Sequence, residues 1–346
     1  MTNTDLFDEF KHFAEKAVEA DAVFKLVEKL RAAGRKSTRQ DRIALAGILA
    51  HTAFLAPDRT AEIYDAVSTA WLDKPIKADP IATLNLAPEP IPPGLWKMYW
   101  AVVEDAVAGK LDATGITART AALGGAMPKA FTERVAHMSF TYPGIKDLNL
   151  GDLPPKIDLD TLANQPEGSL GAAFHALIGD NKFDLEVLDR AEIGLADLPS
   201  PLDYLNTRIL QAHDLWHITA GYETTALHEI ALSGFQMAQF GHNYSAQFLS
   251  VVAAVAALSP ASGYKYLMDT ITTSWVHGRE TPQMMLIPWE DVWHQPAVDI
   301  RDAFRITEYV RPHRADLIEK TAPIAALMKI AASVFSLFRR PIARST

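Results

Sequence analysis

The chain has 346 residues, of which 49% are hydrophobic and 22% charged, so it can bury one large core or two smaller ones. It contains no cysteine, which excludes disulfides, thiolate nucleophiles, iron–sulfur clusters and zinc sites built on sulfur. The formal net charge of −9 argues against nucleic acid as a partner, because phosphate binding requires a basic face. Any bound ion must therefore be held by nitrogen and oxygen ligands.

The two ends of the chain bear on its location. The first residues include Asp5, Asp8 and Glu9, unlike a secretory signal or a transit peptide, and we expect a cytoplasmic protein. The longest apolar runs cover about 15 residues, or about 22 Å of helix, against about 30 Å for a bilayer core. The run 324–338 ends in basic residues, which suits an anionic membrane surface and equally a helix that binds a partner or a second copy.

Apolar residues at helical spacing dominate the sequence from its beginning. Phe7, Phe10 and Phe13 share one helix face, and the next apolar series stops before Gly34, a typical C-terminal residue of a helix. The best candidate for a short strand is 137–142, where apolar and polar residues alternate. With period-two alternation otherwise scarce, the sequence predicts an all-α protein.

Proline clusters at 88–93, Pro143-Gly144 and Pro154-Pro155 interrupt any continuous helix and indicate loops or linkers. The last cluster precedes longer helical patterns, so we place a domain boundary near residue 155. The predicted division is an N-terminal helical region at 1–155, a metal-binding helical domain at 156–310 and a C-terminal amphipathic segment at 311–346.

The most informative stretch is the run His213-Asp214-Leu215-Trp216-His217. Its two histidines are four residues apart, so on a helix their imidazoles lie ~40° apart on one face and can bind one ion. The Asp214 carboxylate lies ~60° from His217 and can be a third ligand or a partner that orients an imidazole. A pair of solvated or hydrogen-bonded histidines is the simpler interpretation of the spacing alone.

Glu229 is the fourth candidate ligand. In an unbroken helix its carboxylate would lie ~18 Å from His217, too far to share an ion. Gly221 is a suitable helix C-cap, and Thr224 or Thr225 can cap a second helix that runs back past the first. In that hairpin Glu229 faces the histidine pair, and the whole pattern favours a metal site.

The run from His213 to Glu229 resembles the signature of the Coq-four family of ubiquinone (coenzyme Q) biosynthesis proteins, whose members carry His-Asp-x-x-His, eleven residues and Glu as a metal site. The resemblance covers about residues 165–306. Further matching segments are Gly168-Ser169-Leu170-Gly171, Tyr204 with Arg208, Phe235 with Gln239-Phe240-Gly241, Gly278-Arg279, Trp289-Glu290, and Pro296 with Arg301 and Ile306. This chain departs from the family in having Ile209-Leu210-Gln211 where Tyr-Arg-Glu is usual, and His228 where the family has Gly.

The resemblance implies a role in ubiquinone biosynthesis on prenylated hydroxybenzoate precursors at a membrane. The implied activity is oxidative removal of the ring carboxylate with hydroxylation of that carbon. The alternative is a non-catalytic scaffold that binds a prenyl lipid and organises the other ubiquinone-biosynthesis proteins, and metal-dependent hydrolysis is a third hypothesis. The expected partners are a prenylated quinone precursor, those biosynthetic proteins and the inner face of the membrane, and we expect a homo-oligomer.

Roles for individual residues follow as expectations. The ion would be zinc, iron or magnesium, held by the two histidines with Asp214 and Glu229, and these two carboxylates are the candidate catalytic groups. Tyr204 and Arg208 are candidate substrate-binding residues; Arg208 can bind a carboxylate or phosphate, or equally pair with a local acid such as Asp203. The other histidines are expected at the surface or hydrogen-bonded in the core, among them His175, His228, His242, His277 and His294.

Overall fold

The computed structural model describes residues 3–111, 113–146, 148, 152–181 and 195–317. Within these ranges every regular element is a helix, which confirms the predicted all-α class, and no helix is long and apolar enough to cross a membrane. The predicted segment 311–346 lies outside the described residues from 318 onward. The α-helices are α1 (Asn3–Ala14), α2 (Ala20–Ala33), α3 (Arg39–Leu55), α4 (Thr60–Leu72), α5 (Leu95–Val107), α6 (Ala113–Gly125), α7 (Lys129–Ser139), α8 (Pro143–Lys146), α9 (Leu159–Ala163), α10 (Leu170–Asn181), α11 (Leu202–Ala220), α12 (Ala226–Phe240), α13 (Asn243–Leu258), α14 (Ala261–Glu280), α15 (Trp289–Val292) and α16 (Ala297–Phe304).

The first two helices form where the apolar spacing predicts them. Phe10 on α1 and Val23, Val27 and Leu30 on α2 are buried, and α2 ends at Gly34 in a positive-φ conformation (φ 51°). Residues with a Cβ rarely adopt that conformation, so the glycine allows the chain to leave the helix there.

The predicted strand at 137–142 is wrong. Its first residues belong to α7, which buries Phe131, Val135 and Met138 at helical spacing, and Tyr142 follows one turn after Met138. Six residues of alternation can also arise from a helix, because apolar residues four positions apart, such as Met138 and Tyr142, fit both a helical period and a two-residue period. The longer series that begins at Phe131 distinguishes the two periods.

An ionic contact fixes the proline-rich connection between α4 and α5. Arg134 of α7 is buried and pairs with Asp58, which is also buried and lies just before α4. The same guanidinium donates to the backbone carbonyls of Leu86 and Ala87. Because proline removes backbone donors, this segment cannot stabilise itself by regular hydrogen bonds, and the arginine supplies part of what is missing.

One continuous hydrophobic cluster includes residues from Leu6 to Tyr309 and thus spans the predicted boundary near 155. Helix α13 packs against α3, α5 and α6 on one side and against α12 and α14 on the other. Trp275 of α14 donates its indole N–H to Asp65 of α4 at 2.8 Å, which adds a polar link across the same region. The proposed division at 155 stays a prediction, and the N-terminal helices share their core with the rest of the chain.

Helices α12 and α14 pack closely at Gly278. A Cβ added to Gly278 would lie 2.7 Å from both the Ala238 Cβ and the Phe235 carbonyl oxygen, closer than real Cβ contacts. Because Gly278 has no side chain, α14 can lie directly against the backbone of α12, the helix that carries Glu229.

We expect Gly278→Ala to lower the free energy of unfolding by about 1–3 kcal/mol, because the new methyl group must push α12 and α14 apart. Gly125→Ala is the matched control: this glycine also lies in the last turn of a helix with ordinary φ, and a Cβ there meets nothing within 4 Å. Denaturant unfolding of the three proteins measures both effects. Equal stability of Gly278→Ala and the wild type would contradict the close packing.

Candidate metal centre

The helical hairpin predicted around the histidines is present. Helix α11 ends at Ala220, Gly221 follows in the left-handed region (φ 77°), and α12 begins at Ala226 with Thr225 at its N-cap position. The Thr225 side chain makes no capping hydrogen bond, so the break depends on the glycine. Glu229 lies in the first turn of α12, where the helix dipole favours a negative charge.

The hairpin brings the four predicted ligands together. The Glu229 carboxylate lies between the imidazoles, with Oε2 at 3.2 Å from His213 Nε2 and Oε1 at 3.2 Å from His217 Nε2. Ligand atoms of His213, Asp214 and His217 lie within 4.8 Å of one another. Asp214, His217 and Glu229 are all buried.

Burial and mutual charge act in opposite directions on these groups. Burial alone would raise the pKa of Glu229, but the charge on His217 and hydrogen bonds from both imidazoles outweigh it and lower that pKa strongly. Burial would lower the pKa of His217, but the Glu229 carboxylate reverses the shift and raises it. Burial raises the pKa of Asp214, although the two imidazoles oppose that shift.

The donor set fits a divalent cation. His217 Nδ1 donates to the Tyr222 carbonyl at 3.0 Å, which leaves Nε2 as the ring atom that could hold an ion. His213 Nδ1 is 2.7 Å from the Gln236 side-chain amide. No lysine or arginine in the described part of the chain pairs with Asp214 or Glu229. Two carboxylates buried side by side are costly even with imidazoles as their partners, and a divalent ion would neutralise them.

A second group of residues holds the turn that supplies the Tyr222 carbonyl. The Tyr222 ring stacks on Tyr309 with centroids 4.6 Å apart, and its hydroxyl donates to His277 Nδ1 at 2.7 Å. The Tyr309 backbone N–H donates to the Ala220 carbonyl at 2.8 Å. We call Tyr222, His277 and Tyr309 the aromatic clamp; no sequence pattern pointed to it, because its members are far apart in the chain.

His228, one of the two departures from the family pattern, is buried next to the candidate ligand Glu229. Its Nδ1 accepts the Glu223 backbone N–H at 2.7 Å, and burial lowers its pKa to about 4. This confirms the expectation of a hydrogen-bonded core histidine, and the ring is neutral at physiological pH.

Arg208 and Tyr204 lie elsewhere on α11. Both terminal nitrogens of Arg208 donate to Glu290, at 2.5 and 2.7 Å, and five helical residues place Arg208 ~140° around the axis from His213. Tyr204 is half-buried and lies one turn before Arg208 on that side of the helix. The structure does not bring these two residues to the histidine pair, and their binding of substrate stays a prediction.

The fold and the site define an all-helical protein with a candidate metal centre of imidazole and carboxylate groups. Residues 154–329, about half of the chain, match the family model described as coenzyme Q (ubiquinone) biosynthesis protein Coq4. The chain therefore belongs to the Coq4 family.

Similar proteins include two named ubiquinone biosynthesis protein COQ4 homolog, mitochondrial. The one from Drosophila ananassae is 28% identical over 152 residues, covering 44% of this chain and 55% of the relative. The one from Bos taurus is 28% identical over 152 residues, covering 44% of this chain and 56% of the relative. The matches thus span about half the length of these curated relatives. A Nostoc punctiforme crystal structure assigned provisionally to ubiquinone biosynthesis aligns with a TM-score of 0.45 and 23% identity, covering 61% of this chain and 97% of that one.

We expect His217→Ala to lose stoichiometric zinc or iron(II) binding, because removing one imidazole leaves an incomplete ligand set. His294→Ala is the control, since His294 is exposed and outside the site. Metal content after dialysis, with the melting temperature of both variants, measures the effect. Full metal content in a folded His217→Ala protein would contradict the assignment.

For Arg208 and Glu290 we expect a stabilising pair. Arg208→Gln and Glu290→Gln should each destabilise the fold, with a coupling of about 1–2 kcal/mol in a double-mutant cycle, because Glu290 keeps partial solvent exposure. Unfolding in urea measures the four proteins. Additive single effects, together with weaker substrate binding, would instead support Arg208 as a substrate residue.

Proposed function

We propose that this protein is a metal-dependent enzyme of ubiquinone biosynthesis that oxidatively removes the ring carboxylate of a prenylated hydroxybenzoate precursor and hydroxylates that carbon. One observation carries the proposal: Glu229 lies 3.2 Å from the Nε2 atoms of both His213 and His217, with Asp214 buried beside them. Membership of the Coq4 family, whose description names ubiquinone biosynthesis, supplies the pathway.

The residues divide into ligands and a proton-transfer group. His213, His217 and one carboxylate from Asp214 or Glu229 would hold the ion, in a set that suits iron(II), zinc or magnesium. Such an ion supplies Lewis acidity and, as iron, access to oxygen chemistry. Asp214 is suited to hold a proton on its carboxyl oxygen, because burial raises its pKa.

The substrate's own electronics favour the step. A para hydroxyl group donates electron density to the ring carbon that bears the carboxylate, so dioxygen, as the oxidant, can bond to that carbon while carbon dioxide leaves. One oxygen atom stays as the new ring hydroxyl, and an external two-electron donor with two protons reduces the other to water. The buried site keeps bulk water away from the reacting carbon, which protects the intermediate from side reactions.

The proposed setting is the inner face of a membrane, with the protein bound peripherally and in contact with other ubiquinone-biosynthesis proteins. The two relatives described above carry mitochondrial in their names, and they are associated with the same quinone pathway by those names. A membrane-bound prenylated substrate requires an enzyme that reaches the bilayer surface, and the basic C-terminal run would suit that contact.

The scaffold hypothesis has one observation in its favour. Two imidazoles and two carboxylates lie close together on α11 and α12, and a shell of four protein ligands is typical of structural rather than catalytic ions. In that case the protein would bind a prenylated precursor without converting it, and the ion would stabilise the α11–α12 hairpin.

Profiling quinone intermediates separates the two functions. In a strain that lacks the gene, complementation with Glu229→Gln should restore protein level but leave a carboxylated, prenylated precursor accumulating, because the ligand set is incomplete. His294→Ala should restore normal ubiquinone. Normal ubiquinone from a metal-free Glu229→Gln protein would exclude the catalytic function and favour the scaffold.

A further inference from the structure

A cavity of about 180 Å³ lies between the N-terminal region and the helices that carry the metal centre. Helix α7 contributes one wall through Phe131, Thr132, Val135 and Ser139, and none of these residues is within the family match that begins at 154. The opposite walls come from α11 and from the junction of α12 with α13. Their lining residues include Leu202, Asn206, Ile209, Phe240, His242 and Asn243.

The cavity adjoins the candidate metal centre. Asn206, Ile209 and His213 follow one another at three- and four-residue spacing on a single face of α11, so His213 lies about 6 Å along the axis from the lining residue Ile209. On α12, Gln236, which contacts His213, precedes the lining residue Phe240 by one turn. A ligand in the cavity can therefore extend one edge toward His213.

Close contacts join the cavity wall formed by α6 and α7 to the wall formed by the α12–α13 junction. Gly241 ends α12 at φ 68°, and a Cβ there would lie 2.5 Å from the ring of Tyr142, which follows α7. Gly124 of α6 likewise makes room for the Gln247 side chain, since an added Cβ would lie 2.6 Å from its Oε1 atom. These contacts fix α6 and α7 against the α12–α13 junction, so the α7 wall is part of the folded structure.

The lining of the cavity suits the uncharged part of a ligand, such as an aromatic ring. No lysine, arginine, aspartate or glutamate is among the lining residues, and burial is the main cause that lowers the pKa of His242 to about 4, which keeps this ring neutral. The Oδ1 atom of Asn243 is buried without a hydrogen-bond partner in the described structure. An acceptor left unpaired in this way is costly, and a ligand hydroxyl that donates to it would remove that cost.

The volume is matched to one substituted ring, since an apolar protein cavity of about 150 Å³ holds a benzene molecule. We propose that this cavity binds the hydroxylated aromatic ring of the substrate, with the ring hydroxyl donating to Asn243 Oδ1, the carboxylate edge toward His213, and Val135 of α7 limiting the size of the ring. This inference rests on the proposed function for the identity of the ring. It gives the N-terminal region a direct part in substrate selection.

The experiment compares two probes, 4-hydroxybenzoate and benzoate, which share the carboxylate and differ in the hydroxyl group alone. Binding to the full-length wild type is measured by calorimetry or ligand-observed NMR, and we expect 4-hydroxybenzoate to bind more tightly. Val135→Phe should weaken both probes by about tenfold or more, because the new ring occupies the cavity. Asn243→Leu should abolish the preference for the hydroxylated probe.

Val107→Phe is the control for Val135→Phe, because Val107 is exposed at the end of α5 and is not part of the cavity. Equal affinity of the wild type for both probes, or unchanged binding in a folded Val135→Phe protein, would overturn the inference. His217→Ala separates it from the proposed function. A hydroxyl preference that persists in this metal-deficient variant supports the ring cavity even where conversion of the substrate is never observed.

Discussion

The contact between the Glu229 carboxylate and two imidazoles on a neighbouring helix constrains the rest of the structure. It requires α11 to stop three residues after His217 and α12 to return at once along its side, which the left-handed Gly221 permits. It also requires α12 to remain in a fixed position, and the close packing of α12 against α14 at Gly278 provides this. The arrangement places like charges together in a buried position, so its stability depends on compensation by protonated imidazoles or by a cation.

Much of the fold and of the site could be predicted from the sequence because the signals are local. The hairpin follows from the glycine that ends α11, although the predicted threonine cap makes no hydrogen bond, and the histidine pair follows from the period of a helix. The strand prediction at 137–142 failed because so short a window cannot distinguish two periods. Partners remote in sequence could not be predicted at all: Glu290 lies 82 residues after Arg208, and no local pattern connects them.

The orientation of the candidate ligand side chains also depends on contacts that the sequence alone does not reveal. Which atoms of His213 and His217 face Glu229 depends on hydrogen bonds that their other ring nitrogens make with Gln236 and the Tyr222 carbonyl. The sequence contains these partners, but only the packing of α11 against α12 and the turn gives them their roles. The N-terminal helices are a further example. Their composition indicates ordinary core-forming helices, while their position makes α7 a wall of the cavity beside the candidate metal centre.

The aromatic clamp has a consequence for the order in which the protein matures. The candidate ligands lie between residues 213 and 229, whereas Tyr309, which stacks on Tyr222 and bonds the end of α11, is synthesised eighty residues later. During translation the hairpin therefore emerges from the ribosome well before the turn that orients His217 is secured. Orientation of the ligands is thus a late event of biosynthesis, which delays completion of the site until nearly all of the described chain can fold around it.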